Sequence, residues 1–247
     1  MSDPLQRHPL TQLLLDARSA NTPLASVAES VLPTTLEDAY RVQAETVAAL
    51  GGVGGWKVIP TPADDKPSCS PIPASVLLEN GATLARGARA EVEIAVVIGK
   101  DLTEQRQYTA GDIAEALSGI HLVLEFVGSR FTDPTQMPVL ATTADLQSNV
   151  AVVLGPKVQS EGFPALDKQD IALFDNGVEI QSTAGNASTD AMFDAVAWLA
   201  NHARSRGLPL TAGTVVITGA RLGPIAVSGP EIEAKATGFD RLTATLA

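Results

Sequence analysis

The sequence predicts an α+β protein with a strand-rich mixed β core and a small helical N-terminal part. Three observations predict it. Long apolar stripes at helical spacing occur twice before residue 55 and once more over residues 191–206. Period-two alternation and short apolar runs recur from Trp56 to Leu246. An Asn-Gly pair between two such runs marks a β-hairpin. The order of elements gives a small helical part at residues 1–55 and a β-rich catalytic domain at 56–247.

The elements follow in order. Leu10, Leu13, Leu14 and Ala17 share one face of a first helix, and Leu36, Tyr40, Gln43, Val47 and Leu50 share one face of a second. Thr34 and Glu37 are placed to cap each other's amides at its start, and Gly51-Gly52 ends it. Trp56 to Ile59 reads as a strand and the proline-bearing stretch 60–73 as a loop. From Glu91 to Ile98 the chain alternates, so that Val92, Ile94, Val96 and Ile98 face one way and Glu91 and Glu93 the other. Thr109 and Asp112 form a capping box ahead of a short helix over 113–117, and 120–127 alternates as a strand around Glu125. Strands are expected at 151–154, at 171–174 and 178–181 about Asn176-Gly177, and at 214–218, 231–236 and 242–246. The third long helix carries Met192, Val196, Leu199 and Ala203 and stops at Gly207.

Composition narrows the function. With 45% apolar residues the chain can bury a sizeable core. Its net charge of −11 repels phosphate backbones and anionic lipid, so nucleic-acid and membrane partners are excluded. Cys69 is the only cysteine, which rules out an intramolecular disulfide and a thiolate zinc site. The opening residues lack a signal-peptide pattern, and no apolar run reaches the ~18 residues of a membrane span. The expected location is therefore the cytoplasm.

The sharpest chemical feature is Glu91-x-Glu93. The two side chains point the same way, roughly 7 Å apart along the strand, and repel. Either they line the solvated face of an edge strand, or a divalent cation such as Mg²⁺ or Mn²⁺ sits between them. Glu125, with apolar neighbours on both faces of its own strand, offers a third carboxylate. Lys57, between Trp56 and Val58, is either a snorkelling surface lysine or a desolvated one with a lowered pKa, suited to proton transfer. Gly51 to Lys57 fails as a phosphate loop, because no strand precedes it and no Ser or Thr follows the lysine. His8, His121 and His202 lack metal spacing and read as structural, Cys69 as a bystander in a loop, and no G-x-S-x-G occurs.

Three segments together, Gly55-Trp56-Lys57-Val58, Arg89-Ala90-Glu91-Val92-Glu93-Ile94-Ala95 and Leu124-Glu125-Phe126-Val127-Gly128-Ser129-Arg130, resemble the 2-keto-4-pentenoate hydratase and 4-oxalocrotonate decarboxylase family of the fumarylacetoacetate hydrolase superfamily. The resemblance continues in order through Ala144 to Asn149, Ala197 to Ala200 and Ala212 to Ala220. It implies a fumarylacetoacetase C-terminal-like core and Mg²⁺ or Mn²⁺ held by Glu91, Glu93 and Glu125. It implies Lys57 as catalytic acid or base, and a substrate side formed by Ser148, Asp145, Arg130, Thr218 and Gly219. The activity implied is hydration of a small 2-oxo or 2-hydroxydienoic acid in the breakdown of aromatic compounds. Decarboxylation of a vinylogous oxo diacid, or the role of a non-catalytic partner subunit, is the alternative. Homo-oligomers, or complexes with a related member, are the assemblies implied. The hydrolase branch's lysine run is missing, since no lysine lies between Glu125 and Asn149. The family's acidic loop residue has no counterpart in Ser68 to Pro73, and specificity is expected from 60–73 and 185–190.

Overall fold

Two helices open the chain in the computed structural model, which describes residues 7–60, 67–159, 166–184 and 188–247. Helix α1 (Pro9–Ala20) starts with a proline, whose fixed φ suits a first turn, and stops at Asn21 in the left-handed region. Helix α2 (Leu36–Ala49) is capped one residue later than expected. Thr35, not Thr34, is the N-cap, and Asp38, not Glu37, returns the bond. Both registers fit the sequence; the extended backbone of Thr35 decides between them. Leu10, Leu14, Ala39 and Val42 pack with Phe131 and with Ala141 and Ala144 of α4 (Val139–Ala144).

The core is a seven-stranded mixed sheet. It comprises β1 (Val53–Ile59), β2 (Ser68–Pro73), β3 (Leu77–Glu79), β5 (Arg89–Ile98), β6 (Leu117–Val127), β7 (Asn149–Lys157) and β10 (Val215–Ala226), in the order β2-β1-β10-β5-β6-β7-β3. A second sheet has the order β4-β12-β11-β8-β9, from β4 (Thr83–Leu84), β8 (Asp170–Asp175), β9 (Val178–Ala184), β11 (Glu231–Ala236) and β12 (Leu242–Leu246). Asn176 and Gly177, both at positive φ, turn the β8–β9 hairpin as the Asn-Gly pair predicts.

One expected loop is in part a strand. Residues 68–73 form β2, antiparallel to β1, despite Pro71 and Pro73. Their missing N–H groups are tolerated because β2 is an edge strand. Residues 61–66 of that stretch, and 185–187, lie outside the described residues. The helix expected at 113–117 is α3 (Ala110–Ala116), and Leu117 already begins β6.

Alternation along β5 divides the large sheet into two faces. Ile94, Val96 and Ile98 enter the core under α3 and α5 (Thr189–Ser205), while Val92 packs with Leu124, Leu173 and Ile232 between the two sheets. The other face carries Ala95, Val123, Val152 and Ile217, and beside them the charged groups described below. Among the described residues, no helix is long and apolar enough to cross a membrane.

Ile94 is fully buried under α5. Replacing it by Ala is expected to destabilise the fold by about 2–5 kcal/mol through lost transfer energy and a cavity, read as a lower urea midpoint. A shift indistinguishable from that of an exposed-site control would show that this face is not the stabilising one.

Candidate metal centre

β5 is paired on both sides, by β10 and β6, so Glu91 and Glu93 do not line a solvated edge. Register sets Glu91 directly opposite Glu125 on β6. Glu93, two residues along, faces the same way. Glu93 is 1% and Glu125 0% exposed, while Glu91 is half-buried. One carboxylate oxygen from each lies within 4.8 Å of the others. Burial, reinforced by Glu125, pushes the Glu93 carboxyl well above the usual range. Burial pushes Glu91 up to about 7, with Lys57 pulling the other way and Glu125 adding to the rise.

Lys57 on β1 is 5% exposed, so it is not a snorkelling surface residue. Its Nζ lies 2.9 and 2.8 Å from the two oxygens of Glu125 and donates at 3.4 Å to the Gln147 carbonyl. The expected lowering of its pKa is corrected here. Burial does act downward, but attraction by Glu125, Glu93 and Glu91 outweighs it and the pKa is raised. The carboxylates around Lys57 thus favour its ammonium form.

A bulge supplies the next contact. Between Ile217, opposite Ala95, and Ala220, opposite Glu93, β10 has one residue more than β5. Gly219 takes φ +89° there and donates its N–H to Glu93 Oε2 at 2.8 Å. Thr218 is buried and gives its hydroxyl to the Ile94 carbonyl at 2.7 Å. The other Glu93 oxygen, Oε1, is buried without a hydrogen-bond partner among the described residues. An orphaned carboxylate oxygen among three carboxylates and one ammonium fits a hard divalent cation, which takes oxygen ligands and neutralises the surplus charge.

The far side of the centre is a turn between α4 and β7. Leu146, Gln147 and Ser148 have φ of +50°, +49° and +64°. Left-handed backbone in L-residues other than Gly costs roughly 1–2 kcal/mol per residue. Asn149, just after it, donates from Nδ2 to Glu125 Oε1 at 3.0 Å, and Gln147 Nε2 donates to Ser68 Oγ at 3.0 Å. Neither Asn149 nor Gln147 is expected from sequence, because the turn has no glycine to announce it. Ser148 is half-buried in the turn.

Arg130 and Asp145 are buried and held by each other, Nε to Oδ1 at 2.5 Å and N–H to Oδ2 at 2.9 Å. The structure thus gathers Lys57, the three glutamates and Gly219, and sets Arg130 and Asp145 behind the turn. Cys69 is buried in β2, where burial pushes its thiol up to about 12. His8 caps α1, His121 Nδ1 lies 2.8 Å from the Gly155 carbonyl oxygen, and His202 stacks on Trp198 at 4.7 Å.

A mixed sheet carrying three clustered carboxylates, with a lysine bonded to one of them, is an arrangement that could hold a cation at the sheet face. The chain belongs to the fumarylacetoacetate (FAA) hydrolase C-terminal family, whose model matches residues 40–247. It is 30% identical over 219 residues to a 2-hydroxyhexa-2,4-dienoate hydratase of Comamonas testosteroni, covering 82% of each chain. It is 27% identical over 242 residues to a 2-keto-4-pentenoate hydratase of Paraburkholderia xenovorans, covering 92% of this chain and 89% of that one. Among solved structures, a 4-oxalocrotonate decarboxylase of Pseudomonas putida, complexed with magnesium and adipate, superposes with a TM-score of 0.82 at 21% identity over the whole of both chains. At that identity the likeness establishes the fold alone.

Metal binding requires Glu91 and Glu93 ionised, whereas burial favours their protonated forms. Affinity for Mg²⁺ should therefore fall as pH drops through about 7, and binding near neutrality should release protons. The same raised pKa makes the metal-free fold gain stability from these groups as pH falls from above 7 towards 4.5. Calorimetry in two buffers of different ionisation enthalpy measures the proton release; its absence would contradict the assignment of these carboxyls as ligands.

Proposed function

We propose that the protein is a divalent-metal-dependent hydro-lyase, adding water to a small 2-hydroxy-2,4-dienoate or its 2-oxo-alkenoate tautomer to give a 4-hydroxy-2-oxo acid. The observation that carries this reading is the orphaned Glu93 oxygen inside the Glu91, Glu93 and Glu125 cluster, with Lys57 bonded to the same Glu125. The hydratases that the chain resembles over most of its length support the reaction type.

Glu91, Glu93 and Glu125 hold the ion, for which we propose Mg²⁺. When bound, it supplies positive charge against the negative charge developing on the substrate's 2-oxygen. Lys57 delivers a proton to the far end of the dienol carbon chain and is reprotonated by the proton that the 2-hydroxyl gives up, which leaves an enone. Water then adds across the enone, oxygen to the β-carbon and hydrogen to the carbon beside the oxo group. The net change is one water gained. Ser148, at the rim of the turn, meets the substrate carboxylate. Gly219 holds Glu93 through its N–H, and Thr218 fixes the bulge through its bond to Ile94.

Assembly into homo-oligomers belongs to the same proposal. β9 is an edge strand that exposes Val178 (65%) and Ile180, an apolar strip that a second copy would cover.

Incubating the protein with Mg²⁺ and a 2-hydroxydienoate should consume the dienoate and give a product heavier by one water. Glu93→Gln should lower that rate by about 100-fold or more. Lys57→Ala should lower it by about 100- to 10,000-fold, as expected for loss of a positioned acid. Unchanged turnover in E93Q would sink the reading, and release of carbon dioxide from a vinylogous oxo diacid in place of hydration would move the protein to the decarboxylases.

A further inference from the structure

Arg130 is expected from sequence to touch substrate, yet its hydrogen bonds run elsewhere. Its guanidinium donates from NH2 to the Asp145 carbonyl at 3.0 Å and from NH1 to the Asn149 carbonyl at 2.9 Å. These two carbonyls bracket the left-handed residues Leu146, Gln147 and Ser148. Nε and the backbone N–H of Arg130 engage both oxygens of the Asp145 carboxylate, which fixes the plane of the fork. Arg18 adds a bond to the Asn149 carbonyl at 3.0 Å.

What the turn presents on its other side is the reacting lysine's surroundings. The Gln147 carbonyl accepts from Lys57 Nζ, and Asn149 donates to the Glu125 oxygen that Lys57 also binds. Three successive left-handed L-residues do not hold that shape unaided. A planar fork with fixed donor directions can bridge two carbonyls at once, whereas an ammonium is a single point of charge. Both members are buried, and each of the three guanidinium nitrogens of Arg130 already has a partner within the protein.

We propose that Arg130 and Asp145 are positioning residues: one arginine clamps both ends of the 145–149 turn and so sets Lys57 and Glu125 in place without touching substrate. This rests on the proposed hydration only for its kinetic readout. The clamp also predicts the behaviour of the turn itself.

The test uses the full-length protein with Arg130→Lys and Asp145→Asn, the second keeping the side chain's shape in case the first does not fold. Misplacing Lys57 should lower kcat by about 30- to 100-fold. KM should stay within about threefold, because no substrate contact is lost. Hydrogen exchange at the Ser148 amide, bonded to the Asp145 carbonyl, and at the Gly128 amide, bonded to the Ser148 carbonyl, should accelerate at least about tenfold. Adding Gln147→Gly to R130K should restore kcat at least about fivefold, since glycine takes positive φ without a clamp. A raised KM with kcat retained would make Arg130 a substrate ligand and overturn the proposal, as would unchanged exchange in both variants. If the wild type hydrates no dienoate, the proposed function fails, and the clamp is then decided by the exchange measurement.

Discussion

Three carboxylates on neighbouring interior strands, offset chiefly by the Lys57 ammonium with Arg221 acting on Glu93 and Arg89 on Glu91, are the constraint on which the rest of the structure depends. Glu91 and Glu125 face each other directly across β5 and β6, an arrangement that disfavours pairing when both are charged. Glu93 adds a third group with almost no access to water. Burial raises the proton affinity of Glu91 and Glu93, and Lys57 is tied to Glu125. Such a centre survives only on a scaffold that leaves the strands no alternative partners. β5 and β6 are flanked on both sides within the seven-stranded sheet, so neither can slip or turn outward to solvate its carboxylates.

The scaffold's strength comes from the other face of the same strands. Val92, Ile94, Val96 and Ile98 are fully buried, and the register that buries them also sends Glu91 and Glu93 to the opposite side. A slip of one residue would exchange the two sets, placing carboxylates under α5 and apolar groups at the centre. Core and site are therefore specified by one alternation. The first of the register shifts in β10 departs from regular pairing and lets the Gly219 N–H reach Glu93.

Legibility in the sequence follows from this. Glu91, Glu93 and Glu125 stand out because a carboxylate in an apolar strand is anomalous, and anomaly at known spacing is readable. The position of Lys57 is readable for the same reason, but the direction of its pKa is not, because the balance is decided by Glu125, far along the chain. The helices and most strands announce themselves by period. β2 does not, since prolines suppress a strand reading and only the finished sheet shows that it lies at an edge. The left-handed turn is silent. Its conformation comes from Arg130, fifteen residues before Asp145, and no local rule predicts positive φ for Leu, Gln and Ser.

The neutral segment at Ser68 to Pro73 takes on meaning once β2 is in place. Ser68 and Ser70 pair with Ile59 and Lys57 and so share the lysine's face, while Cys69 pairs with Val58 and lies in the core beside Tyr40. The thiol is thus on the wrong side of the sheet for chemistry, and the serines bring hydroxyls without charge. Among the described residues, the negative groups acting on Lys57 are the same three glutamates assigned to the ion. Proton affinity at the lysine and cation occupancy at the carboxylates are therefore two readings of one charge balance. A neutral β2 keeps them coupled, because an additional acid there would attract the ammonium whether or not the ion was bound.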